Sequence, residues 1–269
     1  MRGLSRDSLA VVEERFEAVA ETADLPRLAE ELDAIADLLD REHGLRRALT
    51  DPARPGEQKA QAARILLEGR VGDAALQVTL TAVQARWTRA GDLADALERF
   101  SVIAAAAAAE ADGRLRDLED ELFRFGRIVE SSPDLRRFLT DTGVPAERKE
   151  QLLDTLLSGK ASPVGLLLIK QVVTRPRGRS LERGLEEYGN LIAARQRRLV
   201  AVVRSAVAFT EEQKQRLAAL LRSSYGRDVH LNVEVDPRVL GGFSVQVGDE
   251  LIDTTIAGRI EEVRRRLVG

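Results

Sequence analysis

The sequence predicts a mainly α protein: tandem N-terminal helical bundles followed by a small α+β C-terminal domain with a β-hairpin. Three observations predict it. A segment repeats after 90 residues, apolar side chains recur every three or four positions over most of the chain, and at Leu199 the pattern turns to β-branched alternation.

The repeat is gapless. Leu45-Arg46-Arg47-Ala48-Leu49-Thr50-Asp51 aligns with Leu135-Arg136-Arg137-Phe138-Leu139-Thr140-Asp141, and Pro55, Glu57, Lys59, Gln61, Leu66, Leu67 and Gly69 fall on Pro145, Glu147, Lys149, Gln151, Leu156, Leu157 and Gly159. That is 13 identities in the 26 positions from Leu45 to Arg70, where average residue usage gives about two or three by chance. Each copy has a Pro near the start of a short helix, paired leucines within it and a Gly to end it.

In the first copy, Leu9, Val12, Phe16 and Val19 form one helical stripe, and Leu28, Leu32, Ile35 and Leu39 another. Leu76, Leu80, Val83 and Trp87 continue the pattern. Ala94, Leu97, Val102 and the alanines to Ala109 predict a long helix with close contacts. In the second copy Leu118, Leu122, Phe125 and Val129 lead, Leu166 to Val173 predicts a buried helix, and Leu185, Tyr188, Leu191 and Ile192 close the module.

From Leu199 the chain reads as strand (Leu199 to Val203), then as a helix opened by the capping box Thr210-Glu211-Glu212-Gln213 and ended by Gly226. Val229, Leu231, Val233 and Val235 alternate with polar residues, as do Phe243, Val245 and Val247. Gly248-Asp249 predicts a turn into Leu251-Ile252, and Thr255 predicts the cap of a last helix carrying Ile256, Ile260, Val263 and Leu267. The expected domains are 1–113, 114–198 and 199–269.

Composition narrows the function. The chain is 44% apolar and 32% charged, as a folded globular chain should be. Its longest uncharged apolar stretch, Val102 to Ala109, is far short of the roughly 20 residues that span a bilayer. The N-terminal residues lack a secretory pattern, so the expected location is cytoplasmic. Charge is uneven: residues 1–113 carry 14 Lys/Arg against 21 Asp/Glu, residues 114–198 carry 17 against 13, and the rest carry 10 of each.

The ingredients of an enzyme are scarce. There is no Cys, and the only histidines are His43 and His230. Ser158-Gly159-Lys160-Ala161-Ser162 lacks the first Gly and the hydroxyl after Lys of a phosphate loop, and reads as a helix end. Glu211 and Glu212 suit a helix's first turn, and no metal-ligand spacing occurs. The sequence therefore predicts no catalytic residues, no metal and no cofactor. An alternative class is a helical adaptor binding nucleic acid or an anionic membrane through Arg175, Arg177, Arg179, Arg183, Arg195, Arg197 and Arg198. The modest basic excess and the 4% aromatic content argue against it, and a solvated face or a contact with an acidic partner helix is the other reading of these arginines.

The stretch Gly241-Gly242-Phe243-Ser244-Val245-Gln246-Val247-Gly248-Asp249-Glu250-Leu251-Ile252-Asp253-Thr254-Thr255-Ile256-Ala257-Gly258-Arg259-Ile260 resembles the C-terminal signature of ATP synthase delta subunits and of the mitochondrial oligomycin-sensitivity-conferring protein. Thr254-Thr255 stands where that signature commonly has Gly-Ser. Residues 76–113, with Gly91-Asp92-Leu93 at a helix break, are similar to the last helices of the family's N-terminal six-helix bundle. The module 114–198 then reads as a duplicate inserted between the family's two domains, free to lengthen the connector, contact the stalk, or reach toward the head or rotor.

The resemblance implies a non-catalytic stator subunit: a monomer within a hetero-oligomeric complex, peripheral on the cytoplasmic face of the cell membrane. Its N-terminal bundle is expected to grip N-terminal helices of alpha subunits, and its C-terminal domain to meet the b-type stalk subunits. No nucleic acid and no direct membrane insertion are expected. The expected alpha-subunit face is Leu9, Val12, Phe16, Leu80, Val83 and Trp87, and the expected stalk face is Phe243, Ile256, Ile260, Val263 and Arg264. For each apolar residue here the competing role is plain core packing, and for Arg264 a solvated helix end.

Overall fold

A computed structural model describes residues 4–196, 199–226, 229–237, 239, 241–247 and 250–253. The chain forms two compact units, Met1–Arg195 and Gln196–Gly269.

The first unit contains α1 (Leu4–Ala20), α2 (Leu25–Arg41), α3 (His43–Thr50), α4 (Gly56–Leu67), α5 (Asp73–Gln84), α6 (Gly91–Ala111), α7 (Leu115–Ser131), α8 (Pro133–Thr140), α9 (Ala146–Leu157), α10 (Pro163–Thr174) and α11 (Leu181–Gln196). Local chemistry sets their ends. Asp24 caps α2 by accepting from the Arg27 N–H at 3.2 Å, and Ser162 caps α10 by accepting from the Gly165 N–H at 3.0 Å. Gly69 and Gly159, at φ 74° and 68°, take the left-handed conformation just past α4 and α9. The apolar stripes face inward: Leu28, Leu32, Ile35 and Leu39 of α2 are buried, as are Leu118, Leu122, Phe125 and Val129 of α7.

A shift of 90 residues carries α2, α3, α4 and α5 onto α7, α8, α9 and α10 with the same helix limits. The polar fastenings repeat as well. Glu31 accepts from the Gly72 N–H at 2.9 Å, and Glu121 from the Ser162 N–H at 3.0 Å. Thr50 and Thr140 each donate to the carbonyl four residues back at 2.8 Å. Lys59 and Lys149 are both buried, and burial lowers the pKa of both amines.

The same shift places α1 on residues 94–110, inside α6. This helix is therefore the last of the first copy and also the first of the second. Its composition suits both roles: from Asp92 to Ala109 every side chain is buried except Asp95 and Arg99. Small side chains let neighbours approach on all sides of a rod about 30 Å long. Phe16 of α1 stacks on Phe100 at 5.2 Å. Ser101 donates to the Ala29 carbonyl of α2 at 2.8 Å and accepts from the Gln171 amide of α10 at 2.9 Å, all three residues fully buried. The segment expected as a separate insert at 114–198 thus shares one core with the first copy.

Trp87 departs from the expected stripe. Helix α5 ends at Gln84, and Trp87 lies in the link to α6, where its indole N–H donates to the Ala82 carbonyl at 2.8 Å. Ala85 occupies the C-cap in an extended conformation, so the helical spacing ends before the tryptophan.

The second unit has β1 (Leu199–Ser205), α12 (Glu211–Tyr225), β2 (Val229–Val235), β3 (Phe243–Val247) and β4 (Glu250–Asp253) in the sheet order β2-β1-β3-β4. Strand β1 pairs in parallel with β2, through the α12 crossover, and antiparallel with β3; β3 and β4 form the hairpin. The Thr210–Gln213 capping box forms on both sides, and Gly226 ends α12 at φ 65°. Ala201, Val203, Leu221, Leu231, Val245 and Val247 make the core. The expected Gly248-Asp249 turn and the last helix from Thr255 lie outside the described residues.

Candidate functional site

The arginines of the α10–α11 link turn inward. Arg175 pairs with Asp33 and lies 3.7 Å from Asp37; Arg177 reaches Asp40 at 2.9 Å and Asp95 at 3.4 Å. Arg179 donates to both oxygens of Glu98, at 2.7 and 2.9 Å, and to Glu187 at 2.8 Å. The Tyr188 hydroxyl donates to Glu98 at 2.6 Å, and Arg195 pairs with Glu110. Arg175 and Arg177 leave only 15% and 9% of their side chains exposed, so the reading of these link arginines as a solvated face or polyanion footprint is corrected. Arg183 does remain exposed, paired with Glu187.

The electrostatics follow from burial in company. Burial raises the carboxyl pKa values of Asp33 and Asp95, and Arg175 and Arg177 offset this only in part. Burial and Glu98 push the Tyr188 phenol well up. Burial alone would lower Arg175 and Arg179, but the surrounding carboxylates hold both above the ordinary arginine value. This is a seam that locks the second copy to the first. Buried pairs of this kind are costly to break, because the surviving partner keeps its charge without water.

The signal for the seam was present in the sequence as charge bias: an acidic first copy and a more basic second one. Pairing across 142 positions, as between Asp33 and Arg175, leaves no local pattern by which to find the partners.

Five of the six residues expected to face the alpha subunit, Val12, Phe16, Leu80, Val83 and Trp87, are buried, and Leu9 is partly buried against the same core. They form the seam of α1 with α5 from inside. Outside, α1 shows Val11, 55% exposed, together with Ala10, Glu14 and Ala18, and α5 shows Gln77 and Gln84. The equivalent pair in the second copy, α6 with α10, is covered by α2. Ser5 fastens α1 by donating to Asp92 at 2.7 Å. Burial would raise the Asp92 carboxyl, but hydrogen bonds from Ser5 and Arg89 prevail and hold it below the usual aspartate range.

In the second unit Phe243 is half-buried, edge-on to Phe209 at 5.4 Å. Ile256, Ile260, Val263 and Arg264 lie outside the described residues. Val207, Leu220, Val235 and Leu251 are exposed apolar side chains of this unit. Among the described residues no helix is long and apolar enough to cross a membrane.

Comparison with known proteins fits this architecture. The family model described as ATP synthase delta (OSCP) subunit matches residues 104–267, starting inside α6 and running through α7–α11 into the α+β unit. ATP synthase subunit delta of Thermobifida fusca is 49% identical over 269 residues, covering all of both chains, and that of Streptomyces griseus is 50% identical over 271 residues, again covering all of both. A chain of the cryo-EM structure of the Toxoplasma gondii mitochondrial ATP synthase hexamer aligns over 62% of this chain and 97% of its own at 17% identity, with a TM-score of 0.28, too low to bear on the argument. On the family match and the full-length identities, the chain belongs to the ATP synthase delta (OSCP) subunit family, the non-catalytic peripheral-stalk component of that membrane-associated complex.

Proposed function

We propose that this chain is the stator link that keeps the catalytic head from turning with the rotor. On this reading it sits on the cytoplasmic face of the membrane, joining N-terminal helices of alpha subunits to the b-type stalk. Residues 1–113 hold the head, 199–269 meet the stalk through the hairpin around Phe243 and the segment carrying Ile256, Ile260, Val263 and Arg264, and 114–198 stiffen the span between.

The observation that carries the assignment of the head contact is the asymmetry of coverage. The outer face of α1 with α5 is open, whereas its counterpart on α6 and α10 lies under α2. A helix laid along α1 and α5 gains from apolar burial at roughly 25 cal/mol per Å² while rim charges set its register. The buried stripe from Val12 to Val83 supports that face from below.

The test is binding of an alpha-subunit N-terminal peptide to the full chain. Val11→Asp with Ala18→Asp changes only exposed positions and is expected to weaken capture at least about tenfold, as loss of a central apolar anchor does. Undiminished capture by the doubly charged variant, with its melting temperature intact, overturns the α1–α5 assignment.

A further inference from the structure

We propose that the second copy carries a docking groove of its own, between α7 and α11, for a basic amphipathic helix of another subunit of the same complex. The inference rests on membership of that complex and goes beyond the head and stalk contacts proposed above.

The fold treats the same place differently in its two copies. In the first copy the face between α2 and α6 presents Asp33, Asp37, Asp40 and Asp95, and the Arg175–Arg179 link lies across it. The second copy has no following copy to supply such a link. Its equivalent face remains a groove of about 570 Å³. Counting 90 residues on, Asp33 becomes Phe123 and Asp95 becomes Leu185, while Asp37 becomes Arg127 and Asp40 becomes Glu130, so two of the four aspartates that face guanidinium groups in the first copy are replaced by apolar side chains. Phe123 is 68% exposed, a large aromatic surface turned to water.

The floor is low for no reason internal to the chain. Gly126 of α7 and Gly189 of α11 both line the groove. A Cβ on Gly126 would meet only Leu185, at an ordinary 3.6 Å, and one on Gly189 would meet nothing within 4 Å. Glycine inside a helix costs about 1 kcal/mol relative to alanine, and neither position has a positive φ to excuse it. What the two glycines provide is room for a close approach from outside.

The rim selects the occupant. Glu119, Asp120, Glu130, Glu182 and Glu186 line it with Arg127 and Arg136, which pair with Glu130 and Glu182, and neighbouring Arg124 pairs with Asp120, so five acidic side chains stand against three basic ones. A cationic partner is favoured. The span from Phe123 to Glu130 is two helical turns, which matches apolar side chains at i, i+3 or i+4 and i+7 of a third helix packed between two. Lys or Arg flanking that stripe would meet the acidic rim.

The experiment places the photo-crosslinking amino acid p-benzoylphenylalanine at position 123 of the chain in the purified, assembled complex, and identifies crosslinked peptides by mass spectrometry. The expected product is one peptide of another subunit with an apolar helical stripe flanked by Lys or Arg. Adding Gly189→Phe, which fills the groove from a position with free space, is expected to cut its yield about tenfold. Yield no higher than from the same probe at Ile65, 73% exposed on α4, overturns the proposal. So do crosslinks to an acidic peptide, to residues 196–269 of this chain, to a second copy or to lipid. If the probe-bearing chain assembles and sustains coupled ATP synthesis without the expected crosslink, the groove proposal fails and the stator reading stands. If the chain does not copurify with the complex at all, both fail.

Discussion

The two helical copies have the same helices at the same spacing but opposite treatments of their α2-type face. In the first copy that face is acidic and closed by the chain's own arginines; in the second it has an apolar centre at Phe123 and Leu185 within an acidic rim, is floored by glycine and is open. Duplication preserved what builds a bundle, namely the stripes, the helix-ending glycines and the Glu31 and Glu121 fastenings. Divergence fell on positions that decide what each copy touches.

The largest test of this difference is Glu98→Ala. Glu98 holds Arg179 and Tyr188 and lies 3.6 Å from Arg177, so its removal takes one carboxylate from two cations of the seam and the acceptor from the buried Tyr188 hydroxyl, and is expected to cost about 3–5 kcal/mol, measured by urea denaturation. A cost below about 1 kcal/mol, the range of an exposed pair, would mean that the copies hold together by apolar packing alone. Next comes Gly184→Ala, which puts a Cβ 2.3 Å from Cγ2 of the stiff Val172 side chain. It is expected to lower stability by about 1–3 kcal/mol, while Gly189→Ala, with open space, should be neutral or stabilising; equal melting temperatures would contradict the packing at α10 and α11.

Asp92→Asn should cost about 1.5–3 kcal/mol at neutral pH, the worth of hydrogen bonds to a charged group. Its sign with pH is fixed. Because folding lowers the Asp92 pKa, its contribution is present above the unfolded value near 4 and is lost as pH falls through the depressed folded value. The variant's deficit should therefore shrink on acidification, and a deficit constant from about pH 7 to 2 would refute that linkage. The smallest effect compares Glu121→Gln with Glu31→Gln. Glu121 accepts from both the N–H and the hydroxyl of Ser162, at 3.0 and 2.8 Å, where Glu31 has only the Gly72 N–H across the bundle. A difference of about 0.5–1 kcal/mol is expected, with Glu121→Gln the more damaging in thermal melts.

Much of this was legible in the sequence. The repeat from Leu45 to Arg70, the inward stripes, the Thr210 capping box and the strand alternation after Leu199 each reflect local chemistry acting over a few residues. The arginine seam was not legible, because exposed and buried arginines look alike until their partners are known, and those partners lie on helices of the other copy. The boundary drawn at residue 113 hid the double role of α6. Trp87 followed the helical count but sits beyond the helix end. At the expected head contact, periodicity located the α1–α5 seam but could not tell its inner side from its outer one, since a stripe at helical spacing marks the side facing the core.

Helix α6 also has a consequence for how such a chain can grow. Because one helix ends the first bundle and begins the second, a new copy adds five helices and 90 residues, never six. Chains built this way lengthen in fixed increments, and each increment arrives already fused to the last, with no linker to bend.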